Sequence, residues 1–219
     1  VNRGTLTLSG NVAMAGVTSL NVLSSSTLGG VVSGTSNLVK QGASELTLSG
    51  VNTYTGQTLV NGGTLTLAGG SALVNTMAVT LTGSGTLKLA GSEEIASLGG
   101  SGLVNVQGNT LTLSGTASTT LTAALVGSGG LEQKGLGANL TLSSPNIGFT
   151  GAITLTAGRV TLGNDLAFGL GGAVVFNGGT LGYGLGIVTD LSPRIQPIAD
   201  GVIAYLDTNA GATVNYGTG

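Results

Sequence analysis

Short runs in which leucine alternates with threonine or serine recur along the whole chain. They read Gly4-Thr5-Leu6-Thr7-Leu8-Ser9-Gly10, Glu45-Leu46-Thr47-Leu48-Ser49-Gly50, Gly63-Thr64-Leu65-Thr66-Leu67, Gly85-Thr86-Leu87-Lys88-Leu89, Asn109-Thr110-Leu111-Thr112-Leu113-Ser114-Gly115 and Asn139-Leu140-Thr141-Leu142-Ser143. Strict alternation over five or six residues is the pattern of a strand with one face buried, because successive side chains point to opposite sides. Leucine therefore faces a core and threonine or serine faces out, with glycine or asparagine ending each run. One short unit used again and again indicates a stacked, quasi-one-dimensional architecture.

Composition narrows the choices. Charged residues are 6% of the 219 residues, against about 25% in ordinary soluble domains. Glycine is 42 of the 219 but without a triplet period, which excludes collagen. The ordered spacing of leucine, valine and isoleucine argues against disorder. The chain has no cysteine and no histidine. Thiolate nucleophiles, disulfides, imidazole bases and the two best zinc ligands are thereby excluded together. A net charge of −2 is too small to point to nucleic acid. No apolar stretch reaches the roughly 18 residues of a membrane-spanning helix. Three phenylalanines, four tyrosines and no tryptophan are too few for the aromatic girdles of a membrane barrel. The first residue is valine, which suggests a processed chain or an internal piece of a longer one.

A longer self-similarity lies above the strand runs. In residues 34–67 and 127–162, Leu46, Leu48, Gly56, Val60, Gly63, Leu65 and Leu67 correspond to Leu140, Leu142, Gly151, Leu155, Gly158, Val160 and Leu162. Tyr54-Thr55-Gly56 answers Phe149-Thr150-Gly151, and Lys40 falls near Lys134. The pattern predicts a duplication in which inward positions are kept and outward ones vary. Similar strands, almost no helical periodicity and outward threonine, serine and asparagine suited to stacking all favour a solenoid. With roughly 20–30 residues per coil, the chain should form about 7–11 coils. At about 4.8 Å per coil that is a rod on the order of 35–50 Å long. Residues 1–219 are read as a single continuous β-solenoid. The proline-containing stretch 189–197 should be an excursion or short helical turn, with Asp190 as its cap.

The segment Leu46-Thr47-Leu48-Ser49-Gly50-Val51-Asn52-Thr53-Tyr54-Thr55-Gly56-Gln57-Thr58-Leu59-Val60-Asn61-Gly62-Gly63-Thr64-Leu65 closely resembles the autotransporter-associated β-strand repeat, or passenger-associated transport repeat, of bacterial surface proteins. That motif has the form LTLSGxNTYTGxTxVxxGTL. The stretch from Gly179-Thr180-Leu181 to Leu206-Asp207-Thr208-Asn209 is similar to sequence that commonly comes after such repeats. The resemblance implies a right-handed parallel β-helix passenger, exported through an outer membrane and displayed or released outside the cell. Members of this kind are typically scaffolds, adhesins or matrix proteins.

Candidate chemistry is sparse. The acids are Glu45, Glu93, Glu94, Glu132, Asp165, Asp190, Asp200 and Asp207. Carbohydrate-active solenoids gather two or three carboxylates on one face. Here only Glu93 and Glu94 adjoin, and neighbours on a strand point apart. No G-x-S-x-G elbow or phosphate-binding loop occurs. Asn164-Asp165 and Asp207-Thr208-Asn209 are oxygen-rich turns but not a calcium nonapeptide. Thr5/Thr7, Thr64/Thr66, Thr80/Thr82, Thr110/Thr112, Thr120/Thr122 and Thr154/Thr156 have the spacing of ice-binding doublets, although β propensity also accounts for them. The expectation is a noncatalytic structural or adhesive protein with no catalytic, cofactor-binding or metal residue and no cofactor. Its partners would be host or neighbouring cell surfaces. Neither end reads as a polar cap, so self-association through terminal edge strands into an end-to-end fibre is the alternative.

Overall fold

The computed structural model describes residues 5–16 and 18–208, and its strands pair only in parallel. Strands from successive coils stack into a seven-stranded sheet running from Leu6–Leu8 to Ala124–Gly127, and a ten-stranded sheet running from Thr18–Asn21 to Tyr205–Thr208. A five-stranded sheet runs from Glu93–Ile95 to Val174–Phe176, and Val12–Met14 pairs with Val32–Gly34 in a two-stranded sheet. Along the chain the faces alternate in a fixed order. Where all three sides carry a strand, one of the seven-stranded sheet is followed by one of the two- or five-stranded sheets, then by one of the ten-stranded sheet. Each full coil therefore has three sides. Ten strands in one sheet make nine turns, or roughly 43 Å at about 4.8 Å per strand. Partner residues on this sheet are 20 apart at Thr18↔Leu38 and 25 apart at Thr180↔Tyr205.

The alternation seen in the sequence sets the faces. Leu46, Leu65, Leu87, Val104 and Leu125 form one inward column of the seven-stranded sheet, and Leu28, Leu48, Leu67 and Leu89 form the next. Nearly all of these are completely buried, each contributing roughly 1.5–3 kcal/mol. The backbone groups are satisfied by the ladders between coils. Not every threonine points out. Thr58 lies in an inward column with Leu38, and its hydroxyl bonds the Tyr54 hydroxyl at 2.7 Å and the Met77 sulfur at 2.9 Å. Thr66 and Thr161 do face out, yet both are buried beneath neighbouring side chains.

Where a face lacks a strand, side-chain amides carry the ladder. Residues 52–55 and 72–74 fill the side between the two- and five-stranded sheets. There the Asn52 carbonyl accepts the Val32 N–H at 2.8 Å, and its NH2 donates to the Ala72 carbonyl at 2.6 Å. Beyond the last strand of the seven-stranded sheet, Asn146 accepts the Leu125 N–H at 2.7 Å and donates to the Ala167 carbonyl at 2.5 Å. Both asparagines are buried. Corners bring backbones into contact: a Cβ on Gly172 would collide with the Gly151 carbonyl, and one on Gly151 with the Gly129 carbonyl.

In the 189–197 stretch, Ser192–Arg194 forms a single 3-10 turn with Pro193 in its first turn. The capping position is Leu191 rather than Asp190. Asp190 acts from one residue earlier, its carboxylate accepting the Ser192 N–H at 2.8 Å.

Candidate functional site

The acids are distributed by strand parity. On the strand Glu93–Ile95, Glu93 turns inward and is 3% exposed, whereas Glu94 faces out. The Glu93 carboxylate accepts the N–H groups of Leu73 at 2.7 Å and Ala72 at 3.1 Å. Burial pushes its pKa up, and the two N–H groups pull it partly back. Glu94 and Glu132, scattered in sequence, share one outward column of the five-stranded sheet with Thr112 between them. At two strand spacings they stand about 9.6 Å apart along the rod, near the separation of an inverting carboxylate pair. A hydrogen bond from Ser114 and the ammonium of Lys134, 3.2 Å away, hold Glu94 below the usual carboxylate range. A proton donor needs the opposite shift. Glu132 accepts the hydroxyls of Thr156 at 2.7 Å and Thr112 at 3.1 Å.

Three further acids tie coils together. Glu45 accepts the Thr66 hydroxyl, which lowers its pKa, and lies 3.4 Å from the Lys88 ammonium two coils along. Asp165 accepts the N–H groups of Val188 and Thr189 at 2.9 and 3.1 Å, which lower its pKa. Asp207 pairs with Arg159, whose guanidinium crosses over Gly182 to reach it. Asp200 lies in an exposed turn.

Two cations are enclosed by backbone oxygens. The Lys40 side chain is fully buried, and its ammonium donates to the carbonyls of Gly62, Gly42 and Gln41 at 2.8, 2.9 and 3.0 Å. Desolvation lowers its pKa. The Arg194 guanidinium donates to the carbonyls of Gly172, Phe168 and Gly169 at 2.7, 2.7 and 3.0 Å. Among the described residues, no three His, Cys, Asp or Glu side chains gather as a metal site would require.

The threonine doublets do not form one array. Thr7 and Thr66 face out from the seven-stranded sheet, Thr80 and Thr120 from the ten-stranded sheet, and Thr112 and Thr154 from the five-stranded sheet. The two on any face are never on adjacent strands.

The profile of the family described as passenger-associated transport repeat matches residues 38–67. Over 218 residues, 95% of this chain, the sequence is 38% identical to the adhesin BmaC autotransporter of Brucella suis biovar 1, covering 5% of that protein. The chain therefore carries a passenger-associated transport repeat and is similar over nearly its whole length to part of an autotransporter adhesin. A 38-residue stretch, 17% of the chain, is 55% identical to the autotransporter lipoprotein NalP of Neisseria meningitidis serogroup B and covers 4% of it. The chain spans about one twentieth of the length of the curated relatives it matches. Passenger repeats of this kind are exported to the bacterial cell surface. No solved structure matches the chain.

The passenger repeat now has a physical reading. Its asparagine is Asn52, the amide that continues the ladder across a strandless side. Its aromatic is Tyr54, wholly buried, as is Phe149 at the corresponding position. Thr66 donates to Glu45, and Thr161 correspondingly donates to Asn139 at 2.8 Å. The correspondence near Lys40 is shifted by one residue. Lys134 is exposed, and the inward position belongs to Gln133, whose amide donates to the Gly135 carbonyl at 3.4 Å as Lys40 does to Gly42. The two segments also occupy different sides. Leu38–Gln41 and Thr58–Val60 lie in the ten-stranded sheet, but Leu131–Gln133 and Ile153–Leu155 lie in the five-stranded one. An offset of roughly 95 residues is not a whole number of coils, so the second segment is turned by one face.

Sequence reasoning missed a surface groove of about 340 Å³ at the corner leading into the ten-stranded sheet, bounded by Asn139, Arg159, Thr180 and Tyr205. The period of about 20 residues was the signal that could have found it, since these four positions are one coil apart.

Proposed function

We propose that this chain is a noncatalytic, adhesive and structural segment of an exported passenger. It serves as a stiff spacer that presents side chains along its outward faces. The observation that carries the reading is how the charged groups are spent. Glu45, Glu93, Glu94, Glu132, Asp165 and Asp207 all bond to groups one or two coils away, which stabilises a rod. Similarity to an adhesin across nearly the whole chain supports the adhesive part. The direct test is attachment of beads coated with the purified chain to epithelial and bacterial cells, run beside polysaccharide hydrolysis assays. Attachment without hydrolysis is expected. Hydrolysis abolished by Glu94→Gln would overturn the proposal.

A further inference from the structure

We propose that the groove at the corner leading into the ten-stranded sheet, bounded by Asn139, Arg159, Thr180 and Tyr205, binds one neutral sugar unit of a cell-surface glycan. This deepens the adhesive part of the proposed function and rests on it. The groove holds about 340 Å³, the lower end of the range for small-molecule sites. Three successive coils keep its corner bare with Gly137, Gly158 and Gly178. Asn139, Arg159, Thr180 and Tyr205 form a single outward column, one residue per coil.

The chemistry of the column selects the ligand. Five aromatic side chains, Tyr54, Tyr183, Phe149, Phe168 and Phe176, are buried, whereas Tyr205 is 49% exposed beside the groove. A half-exposed tyrosine offers an apolar ring face together with a polar rim. The Arg159 guanidinium is fixed by Asp207 and by Thr161, 3.0 Å from its Nε. Its charge is thus compensated on the spot, and a further anion gains little from it. Its remaining N–H donors are still planar and pre-oriented. A ring with an apolar C–H face and a rim of uncharged hydroxyls matches that combination. A sulfated, phosphorylated or sialylated group would have to compete with Asp207 for the cation.

The test is titration of the purified chain with tetrasaccharides of glucose, galactose, mannose and N-acetylglucosamine, and with sialylated and sulfated oligosaccharides, monitored by calorimetry and ligand-observed NMR. At least one neutral tetrasaccharide should bind with a Kd of about 1 mM or tighter. Tyr205→Ala should weaken it roughly tenfold, and Tyr205→Phe should retain most of it. Gly137→Asn provides a second probe. A Cβ at Gly137 meets nothing within 4 Å, and asparagine tolerates its φ of 71°, so the rod should stay folded while the rim of the groove is obstructed. Circular dichroism checks the fold of each variant. The proposal is overturned if no neutral tetrasaccharide binds at millimolar concentration. It is equally overturned if folded Tyr205→Ala and Gly137→Asn bind like the parent, or if charged oligosaccharides are preferred. Bead attachment of Tyr205→Ala separates the two claims: persistent attachment without sugar binding sinks the groove and leaves the adhesive function standing.

Discussion

Asn52 and Asn146 perform one operation on two different sides of the rod. Each buried amide accepts a backbone N–H from the coil before, Val32 or Leu125, and donates to a carbonyl of the coil after, Ala72 or Ala167. The side chain spans the gap that a strand would otherwise fill. Replacement by leucine leaves one buried N–H and one buried carbonyl without partners at each site. Each of Asn52→Leu and Asn146→Leu should cost about 2–4 kcal/mol. The sites lie more than four coils apart, so the double variant should lose the sum within about 0.5 kcal/mol. Urea denaturation of the four proteins measures this.

Gly63 and Gly158 sit at corresponding corners with φ of 61° and 62°. A Cβ at either would also press on two carbonyl oxygens, those of Gly42 and Ser44 at the first and of Gly135 and Ala138 at the second. Backbone strain and close approach act together, so Gly63→Ala and Gly158→Ala should each destabilise by more than about 1–2 kcal/mol. Gly137→Ala, with open space around its Cβ, should cost only the strain, about 1 kcal/mol. Thermal melts that rank Gly137→Ala as the most damaging would contradict this account.

Glu93 should make stability fall as pH rises. Burial lifts its carboxyl above the ordinary value of 4.5, so the folded chain holds the proton more tightly than the unfolded one. The resulting stabilisation is fully present below about pH 4.5, is lost as pH climbs through the folded value, and stays lost above it. Glu45, Glu94 and Asp165 have lowered values and work in the opposite sense, losing stability as pH falls. The measurable quantity is therefore a difference between two proteins. Relative to Glu93→Gln, the parent should be more stable at pH 4 than at pH 8. A difference that does not change between those pH values counts against it.

Lys40 and Lys134 separate a buried cation from a surface one. Lys40→Met removes the donor shared by three carbonyls inside the stack and should cost about 2–4 kcal/mol. Lys134 is half exposed and pairs with Glu94, so Lys134→Met should change stability by no more than about 0.5 kcal/mol. Equal effects in chemical denaturation would show that the carbonyl cage does not need its cation.

Much of the rod was legible from local chemistry. Runs such as Leu46-Thr47-Leu48 and Leu140-Thr141-Leu142 carry their inward and outward assignments in their own parity, which needs no knowledge of the partner strand. Thr58 faces in with Val60 despite its hydroxyl, because that hydroxyl is met by Tyr54 and by Met77 of the next coil. The groove was not legible for a related reason. Asn139, Arg159, Thr180 and Tyr205 belong to four separate runs, and only their registers bring them into one column.

Alternation and repetition, both local properties of the chain, determined by themselves that it forms short strands with an aliphatic inner face, stacked into a rod. Tertiary structure alone decided which side of the rod each run occupies. It placed Glu94 in line with Glu132, seated Gln133 where Lys40 has its counterpart, and left Tyr205 outside while five other aromatics went in. The reason is cumulative. Coil length varies from turn to turn, with the extra residues taken up between strands, so the side on which a run falls depends on how many residues the preceding coils use rather than on any local pattern.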